Sequence, residues 1–274
     1  MKVFPFVLFI LFLVGVVACK KEKPIIPPPV PAPEIKVLLK DIVQTNLPSP
    51  RYHFEYDGEK KITKAAFSSG MAVYNLSYND KLVSEMENTV QANKDRIQYD
   101  YDPQKRVDLI KIVNAAGTVY RFASLSYDAA NRLSKIEWEV RIDGLGFALE
   151  QTIDLAYDNK GNLATIRDER HFIAGRQPAA VYTDLYEQYD EGTNVDGFSL
   201  LHFNDRHLVL LPGIKLQQNN PRKLSRSGDG VNYNISYSYT YEKNLPLQKS
   251  GDMVITNGPD AGKHFMIGST FSYY

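Results

Sequence analysis

Tyr157-Asp158-Asn159-Lys160-Gly161-Asn162-Leu163 carries the signal from which the architecture can be read. Asp suits the first position of a type I turn, where its carboxylate accepts from the backbone two residues on. Gly161 follows at the position of a G1 bulge, which requires positive φ. Leu163 then restarts an apolar run. The unit therefore predicts a tight β-hairpin with a bulge. It recurs along the chain as a Tyr followed six residues later by an aliphatic residue: Tyr56 with Ile62, Tyr101 with Val107, Tyr127 with Leu133, Tyr189 with Val195 and Tyr241 with Leu247. A contracted copy at Tyr78 runs through Asn79-Asp80-Lys81 straight into Leu82. Asn131 stands at the Gly161 position in its copy, and Lys105 does so in another. Asn is the next most tolerant residue at positive φ, so the Lys105 copy is expected to be the more strained one.

Successive repeat tyrosines from Tyr56 to Tyr189 lie roughly 20–30 residues apart, a period that marks a repeat architecture. The flanks alternate. Phe54, Leu76, Tyr99, Leu125, Leu155 and Tyr239 each stand two residues before a repeat Tyr, and only Glu187 breaks the pattern. Ile136, Trp138, Val140 and Ile142 alternate with Glu137, Glu139 and Arg141, which is a strand with one buried face. Ile35–Val43 fits a helical stripe apart from Val37, and reads better as a first strand. Gly192 to Asn220 breaks the rhythm and predicts a long loop with a short helix. The expected fold is all-β: an antiparallel up-and-down meander of about 14–17 strands, strongly curled or barrel-like, built from repeated hairpins. A closed barrel of that many strands is too wide for its side chains to fill, so it must hold a cavity, be plugged by its own loops, or stay open.

The N-terminus has a different character. Met1-Lys2 precedes an apolar run from Val3 to Val17, shorter than the ~20 residues a transmembrane helix needs, and reads as a secretory signal. It ends in Val16-Val17-Ala18-Cys19, which looks like a bacterial lipobox, and Cys19 is the only cysteine of the chain. Residues 1–18 are thus expected to be a lipoprotein signal peptide, with Cys19 lipidated. Lys20 after the Cys resembles the sorting signal for the outer membrane, with the periplasmic or cell-surface face left open. Six prolines fall between Pro24 and Pro33. They favour extended polyproline II, so residues 19–34 are expected to be a spacer. Residues 35–274 would form a single β-repeat domain.

Of 274 residues, 32 are Lys or Arg and 32 are Asp or Glu. A net charge of zero argues against a nucleic-acid partner. A single Cys excludes an intrachain disulfide framework and multi-cysteine metal sites. Nothing in the sequence selects a cofactor or a catalytic set, and none is expected. His202 and His207, with Asp205 between them, are five apart, so on a strand they would face opposite ways. Asp168, Glu169 and His171 cluster, with Glu169 and His171 on one face at period two. Asp190 to Gly197 superficially resembles a calcium loop, but the twelfth position is Phe203 rather than the bidentate acid. No metal site is assigned. The 18 tyrosines remain. Tyr233, Tyr237, Tyr239 and Tyr241 should share one face of a strand, where they could stack a sugar ring or pack as an apolar sheet face.

Tyr-Asp-x-x-Gly-Asn-Leu resembles the YD (RHS-like) repeat. With its lipobox and Tyr-rich strands at Tyr233 to Tyr241 and Phe271-Ser272-Tyr273-Tyr274, the chain is similar over about residues 35–274 to Bacteroidetes-type lipoproteins of unknown function, whose domain has been described as porin-like. That resemblance implies a β fold and brings no catalytic residues. The expected function is a lipid-anchored, non-catalytic binding or assembly module of the cell envelope, bound to the membrane through its lipid and to a glycan or another envelope protein. A glycan-binding accessory lipoprotein of a polysaccharide-uptake system and a hydrolase with a hidden carboxylate pair are the alternatives.

Overall fold

The computed structural model describes residues 37–90, 94–201 and 207–274. Among them are sixteen strands in the order of the chain. They are β1 (Leu39–Gln44), β2 (Tyr52–Tyr56), β3 (Ile62–Phe67), β4 (Ala72–Asn79), β5 (Leu82–Asn88), β6 (Arg96–Tyr101), β7 (Val107–Val113) and β8 (Val119–Tyr127). The second half holds β9 (Leu133–Ile142), β10 (Gly146–Tyr157), β11 (Leu163–Arg170), β12 (Ala180–Thr193), β13 (Asn219–Gly228), β14 (Tyr233–Glu242), β15 (Leu245–Ile255) and β16 (His264–Tyr273). Each pairs antiparallel with the next, and β16 pairs with β1, so the meander closes into a barrel without a free edge. Closure satisfies the backbone groups that an edge strand would expose. The barrel lies wholly within Val37–Tyr274, which is one compact unit. The expected signal peptide, Cys19 and the expected spacer lie outside the described residues.

The hairpin chemistry reads out as expected. The ladder register shifts at Tyr56, Tyr78, Tyr101, Tyr127, Tyr157 and Tyr241. Gly161 has φ 81°, Asn131 61°, Lys105 63° and Lys60 64°, so the left-handed bulge position is kept whatever residue fills it. Asp158 Oδ1 accepts from the Lys160 and Asn162 amides, and Asp128 Oδ1 does the same for Ala130 and Arg132.

The repeat Tyr does something the sequence did not reveal. Its hydroxyl donates across the sheet to a carbonyl of the preceding hairpin: Tyr78 to Ile62, Tyr101 to Val83, Tyr127 to Val107 and Tyr157 to Leu133, at 2.6–2.8 Å. Tyr56 closes on Leu39 O and Tyr189 on Leu163 O. Except at Leu39, the acceptor belongs to the start of the strand that follows the previous turn. The repeat is therefore a chain of clasps, each hairpin tied to the one before. Guanidinium groups reinforce it, with Arg106 4.3 Å from the Tyr127 ring and Arg132 4.7 Å from the Tyr157 ring. A cation over an aromatic face is drawn to the ring quadrupole. Burial pushes the Tyr56, Tyr101 and Tyr127 hydroxyls up to about 12.

The expected long loop is the connection from β12 to β13, with a short 3-10 helix at Gly197–Leu201. It plugs the barrel. Phe198 packs edge-on against Tyr52 and Phe54 of β2. Tyr74 of β4 meets His207 Nδ1, Tyr120 of β8 meets Nε2, each at 3.0 Å, and Tyr99 of β6 donates to Leu210 O. Tyr120 also donates to Asp95 Oδ2. On the other side Lys249 of β15 reaches Asp196. A segment held by inward side chains from β2, β4, β6, β8 and β15 occupies the lumen. Leu208, Leu210 and Leu216 are buried there with Ile97, Ile110, Leu125 and Trp138.

The outer wall is charged. Ion pairs join Glu55 to Lys64, Asp100 to Lys111, Asp154 to Lys135 and Arg167, and Glu187 to Lys223. A membrane-spanning barrel has the opposite polarity, with an apolar outer band and a polar lumen.

The antiparallel meander sorts its connections onto two ends. The Tyr-Asp turns, the plug connection and both ends of the described barrel lie at one, here the turn end. The connections β1–β2, β3–β4, β5–β6, β7–β8, β9–β10, β11–β12, β13–β14 and β15–β16 lie at the other, the loop end. Exposed apolar side chains gather at the loop end: Leu47, Met71, Val90, Leu145, Phe172 and Val231 in the connections, and Phe147, Phe265 and Met266 at strand starts.

Candidate functional site

Strand alternation puts Tyr233, Ile235, Tyr237, Tyr239 and Tyr241 of β14 on one face, as expected, and that face is the lumen. The intervening Asn234, Ser236, Ser238, Thr240 and Glu242 are exposed. The tyrosine row is thus interior and not an exterior strip. Tyr239 and Tyr241 stack at 5.9 Å, 21° apart. Their hydroxyls are committed, Tyr239 donating to Pro221 O and Tyr241 to Asp190, while Tyr241 also accepts from Asn220. The Tyr241 ring lies on Gly192, where an added Cβ would come within 2.3 Å of it. Tyr233 stands 5.2 Å from the Arg226 guanidinium, whose partner is Asp184.

Tyr237 of the row borders open space. A cleft of about 450 Å³ lies between β14, β15, β16 and the turn after β1. Ligand sites are of this size, mainly apolar with a few placed polar groups. Met253, Phe265, Ile267 and Leu47 supply the apolar lining; Gln44, Thr45, Asn46 and Ser269 supply uncharged hydrogen-bonding groups. Gly251 makes room for the aromatic ring: a Cβ there would stand 3.0 Å from Tyr237 and 2.9 Å from Ile267. Among the described residues Lys249 is the one charged member of the lining. Its Nζ lies 4.6 Å from the Tyr237 ring centre and 3.3 Å from Asp196 Oδ2. Burial works against its charge, yet Asp196 and the two nearby tyrosines hold its ammonium above the ordinary lysine range. Burial raises Tyr237, and Lys249 opposes the rise. The cation at the cleft is therefore balanced by Asp196, which lies outside the lining, and stands over the face of Tyr237. The cleft can receive a ligand with an apolar side and hydroxyl or amide groups. The lining holds no carboxylate among the described residues.

The other sequence candidates fall elsewhere. His207 is part of the plug, while His202 and Asp205 lie outside the described residues. Glu169 pairs with Arg167, and His171 Nε2 contacts Thr152 Oγ1, while His171 stays near enough to help hold the Glu169 carboxyl down after Arg167. Asp168 is buried and accepts from Gln151 Nε2. Asp190 serves Tyr241 and the Gly192 amide, and Asp196 serves Asn194 and Lys249, so these two carboxylates of the loop are committed to protein donors. Among the described residues no group of three metal-ligating side chains is assembled. Sequence reasoning missed Lys249 and Asp196 as a pair, since 53 positions separate them and only barrel closure around the plug joins them.

The fold has solved counterparts. A crystal structure of a porin-like protein from Bacteroides uniformis ATCC 8492 is similar with a TM-score of 0.56 and 12% identity, over 87% of this chain and 95% of that one. A porin-like protein from Bacteroides vulgatus ATCC 8482 is similar at the same TM-score and identity, over 86% and 99%. These likenesses define the class as a porin-like β-barrel fold. No protein-family model matches the chain, and no curated protein matches it.

Proposed function

We propose that this chain is a lipid-anchored barrel of the cell envelope that binds a ligand or partner and does no chemistry on it. The observation that carries the reading is a closed barrel with a charged wall and a plugged lumen, in which a cleft beside Tyr237 and Lys249 stays open. A wall of ion pairs suits a body held beside a membrane, not one built into it. The likeness to porin-like Bacteroides proteins supports an envelope setting, and the lipobox at Cys19 supports an outer-membrane anchor. Among the described residues the cleft lining offers no pair of facing acids of the kind glycoside hydrolysis requires, which weighs against the hydrolase reading. For a glycan ligand the inward tyrosine row narrows the stacking platform to Tyr237.

Two measurements test the reading. Cys19→Ala should move the protein from the membrane fraction to the soluble envelope fraction; retention after an alkaline wash would remove the anchor. A thermal-shift screen of the barrel with neutral oligosaccharides and peptidoglycan fragments should give a rise with one of them, since a ligand of the folded state alone adds RT ln(1 + [L]/Kd). Gly251→Leu, which fills the cleft, should abolish that rise. A rise that survives Gly251→Leu places binding elsewhere.

A further inference from the structure

We propose that the loop end of the barrel is a bilayer-contacting rim, whose hairpin tips insert individually into the interfacial layer of a lipid membrane. Six of its eight connections carry a large apolar side chain in solvent: Leu47, Met71, Val90, Leu145, Phe172 and Val231, from 45% to 84% exposed. Leu145 is the most exposed of all large apolar residues described, and below it Phe147 stacks edge-on against Phe122 at 5.0 Å. At the turn end the equivalent positions are Gly58-Glu59-Lys60, Pro103-Gln104-Lys105, Ala129-Ala130-Asn131 and Asn159-Lys160-Gly161, without one large apolar side chain. The hairpin turns of one end are thus polar, Val37, Leu247 and Tyr274 being the exposed apolar side chains beside them, while the connections of the other end carry apolar tips.

The spacing selects the occupant. Strands about 4.8 Å apart and tilted by about 40° put successive hairpin tips about 12 Å apart around the mouth. Single apolar side chains at that spacing, separated by polar backbone, do not form the continuous packed core of a protein interface. A fluid interface can accommodate each tip separately, at a depth of about 5–10 Å that keeps loop backbone among headgroups and water. Charge on this end is mixed: Lys94, Arg176 and Lys263 stand against Asp143, Asp229 and Asp260. Contact should therefore depend on apolar insertion and not on anionic lipid. The anchor leaves enough reach. At about 3.1 Å per residue, a polyproline spacer from Cys19 to Val37 would span about 56 Å. A ten-residue strand is only about 33 Å long. The contact does not rest on the anchor, so it is testable without it.

The test uses the chain from Lys20 onward, which retains the entire barrel and contains no cysteine. Leu145→Cys and, at the turn end, Lys160→Cys each take one environment-sensitive fluorophore. With phosphatidylcholine vesicles the label at 145 should shift to the blue and be quenched by spin-labelled lipid, equally at low and high salt, while the label at 160 stays unchanged. The triple variant Met71→Ser, Leu145→Ser, Phe172→Ser should fold with an unchanged melting temperature and co-sediment with vesicles at least tenfold less. No vesicle response, an equal response at both ends, or binding confined to anionic vesicles and lost in salt would each overturn the proposal. A concentration-dependent dimer abolished by the triple variant, without any vesicle response, would overturn it too and assign the rim to a second copy of the chain.

Discussion

The two ends of this barrel are built from the same strands by different rules. At the turn end the chain reverses through Asp-capped bulges, and each turn is tied to its neighbour by a tyrosine hydroxyl and in places a stacked guanidinium. At the loop end the connections vary in length, carry apolar side chains in solvent, and flank the cleft at Phe265 and Leu47. The contrast shows where order and freedom are placed. A repeat that must fix register does so with local chemistry at one end, which leaves the other end free to vary, as loops on a rigid scaffold generally do. The plug enters from the ordered end, so core and turns should fail together.

The severest test of that contrast is Leu216→Ala. Leu216 is buried in the plug. The cavity should lower stability by about 2–5 kcal/mol, seen as a lower urea midpoint. Were the midpoint unmoved, the plug would be decoration and not core. Tyr127→Phe removes one clasp and leaves Val107 O without its donor. The cost should be about 1–3 kcal/mol by the same measurement. The clasps also fix a pH window. Tyr56, Tyr101 and Tyr127 have an ordinary value of 10.0 and are pushed up to about 12 by burial. A group whose folded pKa is raised contributes fully below its unfolded value, and that contribution is lost as pH rises through the folded one. Melting temperature should therefore fall steadily between pH 10 and pH 12, and Tyr127→Phe should flatten the slope. A constant melting temperature there would show that the hydroxyls are not clasped in solution. Lys105 holds a φ of 63°. That conformation costs a residue with a side chain more than it costs glycine, so Lys105→Gly should raise stability by about 0.5–1 kcal/mol. Least affected should be the loop end, where Leu145 is 84% exposed. Leu145→Ser should stay within about 0.5 kcal/mol of the parent.

Much of this was legible in the chain. The hairpins, their bulges at Gly161, Asn131 and Lys105, the alternation through Ile136, Trp138 and Val140, and the break after Gly192 all follow from nearest-neighbour chemistry. The shared face of the β14 tyrosines was legible too, since alternation has a period of two. Its direction was not, because a strand with tyrosine on one face and serine on the other has no local cue for which face meets the lumen. In sequence His207 reads as one half of a pair with His202, whereas its partners are Tyr74 and Tyr120, 133 and 87 positions away. The first strand begins at Leu39 within the expected Ile35–Val43 stretch.

Local order along the chain is enough to dictate an all-β repeat of hairpins. Turn type, bulge position and strand alternation depend on residues within a turn or a strand of one another, and such information is written consecutively. Four features are settled only in three dimensions. The sheet closes, the β12–β13 connection fills the lumen, Lys249 meets Asp196 beneath Tyr237, and the apolar tips gather on one rim. Each of these brings together residues far apart in the chain. Their proximity is set by strand number, register and closure, which are properties of the whole barrel and of no single segment.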